Sequence, residues 1–212
     1  MADRAVLFVD GNNWYHSLQD AGVQDLGRLN YAKISQKLLG PRIWLATRYY
    51  IDQVQQQRNT RLYAEQRRFL ANLRATDRRI SCHLGRLESR LVENDAAREL
   101  RQYLSRLPLR IDKKVFHDLM DLARRHERTQ VYVEKAVDVM LAVDMVTMAE
   151  RDEYDAAYLL SADGDYTPAV TAARRKGKKV YAASPYHGAQ LGAVVNAYIR
   201  VNRQWFDDCY GP

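Results

Sequence analysis

The stretch Ala5-Val6-Leu7-Phe8-Val9-Asp10-Gly11-Asn12-Asn13 decides the fold. Five uninterrupted apolar residues closed by a turn signal are the pattern of a short strand buried on both faces, as in a parallel sheet. Working outward, residues 31–39 have helical spacing and stop at the breaker pair Gly40-Pro41. Residues 43–51 are rich in aromatic and β-branched side chains and read as a second strand. Residues 59–75 set Leu62, Phe69, Leu70 and Leu73 among arginines at helical spacing, an amphipathic helix, and 80–91 read as a third strand or hairpin arm. After a charged stretch the rhythm returns. A brief strand at 131–133 precedes a helix at 135–150, a strand at 155–161 and a helix at 167–176 that stops at Gly177. A strand at 179–183 and a last helix at 189–198 complete the chain. Strands alternating with helices predict an α/β fold around a mostly parallel sheet.

The 212 residues are enough for one domain with a real core, read as 1–212 with a helical insertion at 92–128. Within that insertion 96–107 and 115–126 read as two charged helices broken around Pro108. A 47% apolar and 28% charged composition is that of a globular chain, not a disordered or fibrous one. No apolar run approaches the ~20 residues of a bilayer span, so no membrane partner is expected. Met1-Ala2-Asp3-Arg4 does not resemble a secretory leader, and Cys82 and Cys209 form no CxxC pair. A reduced, cytoplasmic setting is the expectation. The formal charge of +7 favours polyanionic partners but does not identify one.

The carboxylates narrow the chemistry. Asp10 closes the first strand, Asp163 and Asp165 follow the strand at 155–161, and Asp138 lies in the first turn of the 135–150 helix. In an open parallel sheet all three junctions fall at the carboxyl edge, where such folds bind ligands. Taken singly, each aspartate has a structural role open to it, in a turn or facing a helix dipole. Taken together they repel unless a cation neutralises them, and Mg²⁺ or Mn²⁺ prefers such oxygen ligands. Ions of that kind activate water and clamp phosphodiester oxygens. The 135–150 helix is apolar on nearly every face, which predicts burial all round. Asp144, some 120° around that helix from Asp138, is expected to accept structural hydrogen bonds instead of sharing an ion.

Three segments carry a resemblance: Phe8-Val9-Asp10-Gly11-Asn12-Asn13-Trp14, Glu134-Lys135-Ala136-Val137-Asp138-Val139, and Tyr158 to Tyr166 with Pro168. In that order they resemble the NYN domain family of LabA-like proteins. The resemblance implies a PIN-like three-layer fold, with a central mostly parallel sheet, helices on both faces and an acidic metal-binding pocket. It implies metal-dependent ribonuclease activity with Mg²⁺ or Mn²⁺ as cofactor and RNA, single-stranded RNA foremost, as substrate. Position by position, the catalytic and metal-binding set it implies is Asp10, Asp138, Asp163 and Asp165, supported by Asn13 and Ser161. Ala136 and Ala162 stand where glycine is usual, and Tyr166 replaces phenylalanine.

Positive charge concentrates at Arg58, Arg61, Arg67, Arg68, Arg74, Arg78 and Arg79, and again at 174–179 around Gly177. The second group suits an ordinary helix C-terminus. From the first, Arg61 and Arg68 are candidates for substrate binding, with Lys135 near the acidic rim and Tyr186 in the loop after the last strand as a base-stacking residue. Segment 92–128 has two roles open to it, closing over the pocket or forming a homodimer contact. None of the five histidines has zinc spacing. Phe8 stands where a dehalogenase-like D-x-D would need its nucleophile, and no glycine-rich nucleotide loop is present. The alternative from a different class is a catalytically silent RNA-binding or protein-interaction module.

Overall fold

β1 (Arg4–Asp10) lies in the middle of a sheet because both its faces are apolar: Ala5 through Val9 are all fully buried. Its neighbours β2 (Ile43–Asp52) and β5 (Ala156–Leu160) run parallel to it. β3 (Ile80–Glu93) adds outside β2, while β6 (Lys179–Ser184) and β7 (Ala197–Arg200) add outside β5, again in parallel. The order β3-β2-β1-β5-β6-β7 reverses its direction of winding between β1 and β5. Open α/β sheets bind ligands at such a switch point, outside the carboxyl ends of the strands. Val9 pairs with Leu160, so Asp10 and Ser161 leave the sheet side by side.

Right-handed crossovers then sort the helices by face. On one face α1 (Gly11–Asp20), α2 (Tyr31–Leu39) and α3 (Thr60–Thr76) bury Trp14, Leu18, Ile34, Leu38 and Leu73 against Leu7 and Val9. On the other, α6 (Val137–Glu150) and α7 (Thr167–Arg175) bury Val137, Leu141, Met145 and Val170 against Val6 and Phe8. The three-layer α/β architecture expected from the sequence is the one adopted.

The computed structural model describes residues 2–54, 59–106 and 112–211, and of 86–92 and 129–135 the backbone alone. The chain divides into two compact units, Met1–Arg86 with Lys135–Pro212, and Leu87–Glu134. In the smaller unit, α4 (Asp95–Arg106) and α5 (Lys113–His126) lie against each other with Ala97, Leu104 and Ala123 buried. The end of β3 and β4 (Arg128–Lys135), its neighbour in the sheet, bracket these helices. Segment 92–128 falls within this unit, and the break around Pro108 lies outside the described residues. Among the described residues no helix is long and apolar enough to cross a membrane.

Besides α1, which begins at Gly11 where a turn was expected, two elements depart from the sequence reading. The last helix, expected over 189–198, stops early as α8 (Ala189–Val194), and Ala197–Arg200 becomes β7. Asn196 makes the change. Its backbone N–H donates to the Val180 carbonyl at 2.7 Å while its Oδ1 accepts from Val180 N at 2.8 Å, which docks the chain onto the edge of β6. The other departure is α6, expected to be buried all round. It buries one stripe, Val137, Leu141, Met145 and Ala149, and leaves Val139 and Val143 64% and 55% exposed. The sheet and α7 support it from below and beside, so the apolar face opposite gains no cover.

Candidate functional site

Asp10 is at once the last residue of β1 and the N-cap of α1. Its Oδ1 accepts from Asn13 N at 3.2 Å and its Oδ2 from Ser161 Oγ at 3.1 Å. Gly11 permits this turn. A Cβ there would sit 2.6 Å from the Tyr50 carbonyl oxygen, so only glycine lets α1 begin this close to β2. Asp10 is 3% exposed. Burial raises its carboxyl to about 6, the negative charge of Asp138 adds to the rise, and the hydrogen bonds from Asn13 and Ser161 oppose it.

Asp138 reaches the same place from the first turn of α6, which starts after Ala136 in a left-handed conformation, φ 84°. Its carboxylate is exposed, and its Oδ1 accepts from Tyr166 Oη at 2.9 Å. Tyr166 is 1% exposed, and its hydroxyl also interacts with Asp10. Burial first, then the two carboxylates, push that hydroxyl far above its ordinary value, so it remains a donor.

Asp163 caps the 3-10 turn Gly164–Tyr166: its Oδ1 accepts from Asp165 N at 2.9 Å, while its own N–H donates to Ser161 Oγ at 3.1 Å. Asn13 Oδ1 accepts from Ala162 N at 3.2 Å and ties α1 to this loop. Asp10 and Asp138 thus meet at the Tyr166 hydroxyl, and Asp163 is joined to Asp10 through Ser161. Among the described residues, Asp165, exposed, is linked to this group by its backbone N–H. Among the described residues no three His, Cys, Asp or Glu side chains form a group able to hold a metal ion. Asp163 turns one carboxylate oxygen onto its own turn, which sets it apart from Asp10 and Asp138. The pair that remains still fits a hard divalent ion. Mg²⁺ is held by one or two carboxylates and completes its shell with water and phosphate oxygens. A buried, raised carboxylate beside a second one is a donor set of that kind.

A family model described as the NYN domain matches residues 4–200. The chain belongs to the NYN domain family. The fold of this family is nuclease-like. A crystal structure of a protein of unknown function from Vibrio parahaemolyticus is similar over 99% of this chain and 97% of that one, with a TM-score of 0.57 and 15% identity. That likeness concerns the fold alone. No curated protein matches the sequence.

The remaining expected residues of this NYN domain are scattered. Arg61 is 90% exposed and pairs with Glu65 at 2.9 Å, and Arg68 lies exposed on the same helix. Arg79 is engaged structurally, its guanidinium 3.8 Å from the Trp44 ring centroid and paired with Asp77. Arg58 lies outside the described residues, as does the side chain of Lys135, the last residue of β4. Tyr186 is 44% exposed in the loop after β6. In the basic group around Gly177 the three lysines are paired, Lys176 with Glu150, Lys178 with Asp152 and Lys179 with Asp3.

Sequence reasoning missed two residues of the rim. Asp52, buried at the end of β2, accepts from Asn12 Nδ2. It stands one residue beyond the strand read at 43–51, so strand-end position was the signal available. The other is the hydroxyl of Tyr166, for which the sequence offered only a departure from phenylalanine. Asp144 has the structural role expected of it: its Oδ2 accepts from Arg48 Nη2 and from Tyr50 Oη, each at 2.6 Å.

Proposed function

We propose that this protein is a metal-dependent ribonuclease that hydrolyses phosphodiester bonds of single-stranded RNA. The observation that carries the reading is the meeting of buried Asp10 and Asp138 at the Tyr166 hydroxyl, by the switch point of the sheet, where two neighbouring carboxylates call for a cation. Asp10 and Asp138 would hold Mg²⁺ or Mn²⁺, with Asp163 and Asp165 acting through water. Such an ion, when bound, lowers the pKa of water and offsets the charge of the phosphodiester.

The chain's own residues would do the rest. Ser161 Oγ, between Asp10 and the Asp163 N–H, keeps the Asp10 carboxylate in one orientation. Asn13 spends its Oδ1 on Ala162 N, which leaves its Nδ2 to donate to a phosphate or water. Arg61, Arg68 and Lys135 would attract the phosphate chain, and Tyr186 would stack on a base. A cytoplasmic location belongs to the same proposal.

The second reading, a module that binds RNA or protein without cutting, draws on the lack of a three-carboxylate group among the described residues. One assay separates the two. Labelled single-stranded RNA is incubated with the protein and Mn²⁺, with EDTA, and with the Asp10→Asn and Asp163→Asn variants. Cleavage that needs Mn²⁺ and is lost in both variants supports the nuclease. Activity surviving both substitutions removes the assigned site, and binding without metal-dependent cleavage favours the module.

A further inference from the structure

We propose that the Tyr166 hydroxyl is a positioning group of the metal site, holding Asp138 toward Asp10 so that the two carboxylates are ready to receive one ion. The inference rests on the reading of this pair as a cation site, and adds a residue to it.

The two carboxylates are set unequally. Asp10 is fixed from two sides, by Asn13 N on Oδ1 and Ser161 Oγ on Oδ2. Asp138 is exposed in the first turn of α6, and among the described residues the Tyr166 hydroxyl, at 2.9 Å, is its one hydrogen-bond donor. Without that contact its side chain would be free to choose among rotamers and to turn into water, away from the negative charge of Asp10. Tyr166 itself cannot follow. Its ring is 1% exposed and packed in the cluster that includes Val137, Leu141 and Leu191, so its hydroxyl projects from a rigid base.

One hydroxyl has one proton. Donated to Asp138 Oδ1, it leaves Oδ2 as the oxygen for an ion, and a carboxylate held this way loses little freedom on binding. The contact also offsets part of the repulsion between the two aspartates while no ion is present. The hydroxyl is the only atom that separates this side chain from the phenylalanine that the family resemblance implies. Tyr166→Phe therefore removes the proposed function and keeps the ring in the core.

Mn²⁺ binding to the full chain, followed by the electron paramagnetic resonance of free Mn²⁺, tests this without reference to activity. The comparison needs the unaltered protein, Tyr166→Phe, Asp138→Asn and the double variant, each checked for fold by circular dichroism. The unaltered protein should bind, and Tyr166→Phe should weaken binding roughly tenfold, as loss of a hydrogen-bonding partner behind a metal ligand does. In the Asp138→Asn background the same change should cost less than about twofold, a coupling that a merely structural tyrosine would not produce. Equal affinity of the unaltered protein and Tyr166→Phe overturns the proposal and leaves the metal site standing. Equal losses in both backgrounds also overturn it. If the unaltered protein shows no saturable Mn²⁺ binding, the site reading falls and this inference falls with it. Should Tyr166→Phe not fold, the unaltered protein supplies the readout through the ¹³Cζ resonance of Tyr166: a shift on adding Mg²⁺ supports the proposal, and an unmoved resonance overturns it.

Discussion

Ser161 Oγ donates to Asp10 Oδ2 at 3.1 Å, joining two residues 151 positions apart in the chain. The contact exists because β1 and β5 are parallel neighbours in register, Val9 beside Leu160. Both residues are buried, so neither can exchange this partner freely for water. Ser161→Ala should cost about 1–2 kcal/mol of stability, since it strips a hydrogen bond from a buried carboxylate. Urea denaturation at pH 7 reads this, and a change within about 0.3 kcal/mol would contradict the geometry.

Asp10 predicts an unusual pH dependence for the metal-free protein. Its carboxyl rises from 3.8 to about 6 on folding, so the native state holds the proton more tightly than the unfolded chain. The contribution to stability is complete below pH 3.8 and is lost as pH rises through 6. At about 1.4 kcal/mol per pKa unit, the loss is on the order of 2–3 kcal/mol. Asp10→Asn carries no such charge, so without metal it should unfold at higher urea concentration at pH 7 than the unaltered protein. Saturating Mn²⁺ should reverse that ranking by stabilising only the unaltered protein. Parallel pH profiles for the two proteins between pH 4 and pH 6 would refute the argument.

Two substitutions of one methyl group should act in opposite directions. Gly11→Ala places a Cβ 2.6 Å from the Tyr50 carbonyl oxygen and 2.6 Å from the Tyr49 ring. It should cost about 1–3 kcal/mol and displace the start of α1. Ala136 already adopts φ 84°, where a side chain is strained by about 1–2 kcal/mol. Ala136→Gly relieves that strain against a backbone-entropy cost of about 0.5–1 kcal/mol, for a net gain of about 0.5 kcal/mol. Thermal midpoints measure both. A loss of more than about 1 kcal/mol at Ala136→Gly would show that its methyl group has a packing role.

Asp144, Arg48 and Tyr50 form a triad that fixes α6 to β2. Burial pushes the Asp144 carboxyl up, yet hydrogen bonds from Tyr50 and Arg48 together outweigh it and hold the group below its ordinary value. The Arg48 and Asp144 side chains are 24% and 33% exposed, so solvent screens part of their attraction. A double-mutant cycle with Arg48→Met and Asp144→Asn should give a coupling of about 1 kcal/mol. Additive effects would mean that the pair does not hold the helix.

His83 extends the triad, its ring stacked on Tyr50 at 4.7 Å with Nε2 3.0 Å from Ser81 Oγ. Burial lowers its pKa, and the Arg48 charge lowers it further. The unfolded chain therefore takes up the proton first. The stability this group contributes is complete above its unfolded value of 6.5 and is lost as pH falls through the lower folded value. His83→Phe retains the stacking and should flatten the stability profile on the acid side of pH 6.5. NMR titration of the imidazole reads the same shift, and an ordinary histidine value would refute it.

The strand ending at Asp10, the helix ending at Gly40 and the acidic turn at 161–165 were legible along the chain, because local patterning and turn chemistry govern them. The same rules misread 189–198, where Asn196 satisfies both polar groups of Val180, a partner 16 residues away that no local window contains. They also misread α6, whose apolar composition conceals that only one of its faces meets the sheet.

For the site, the sequence by itself determined that Asp10, Asp138, Asp163 and Asp165 lie at the carboxyl edge, since parallel strands and the helices that follow them must deliver their junctions there. Tertiary structure alone decided which of these aspartates meet. Asp10 couples to Asp138, Asp163 turns back to its own loop, and Tyr166 and Asp52 enter the rim. Distances between side chains on different elements depend on register, helix placement and rotamer. Those follow from packing of the whole core, and no single segment encodes them.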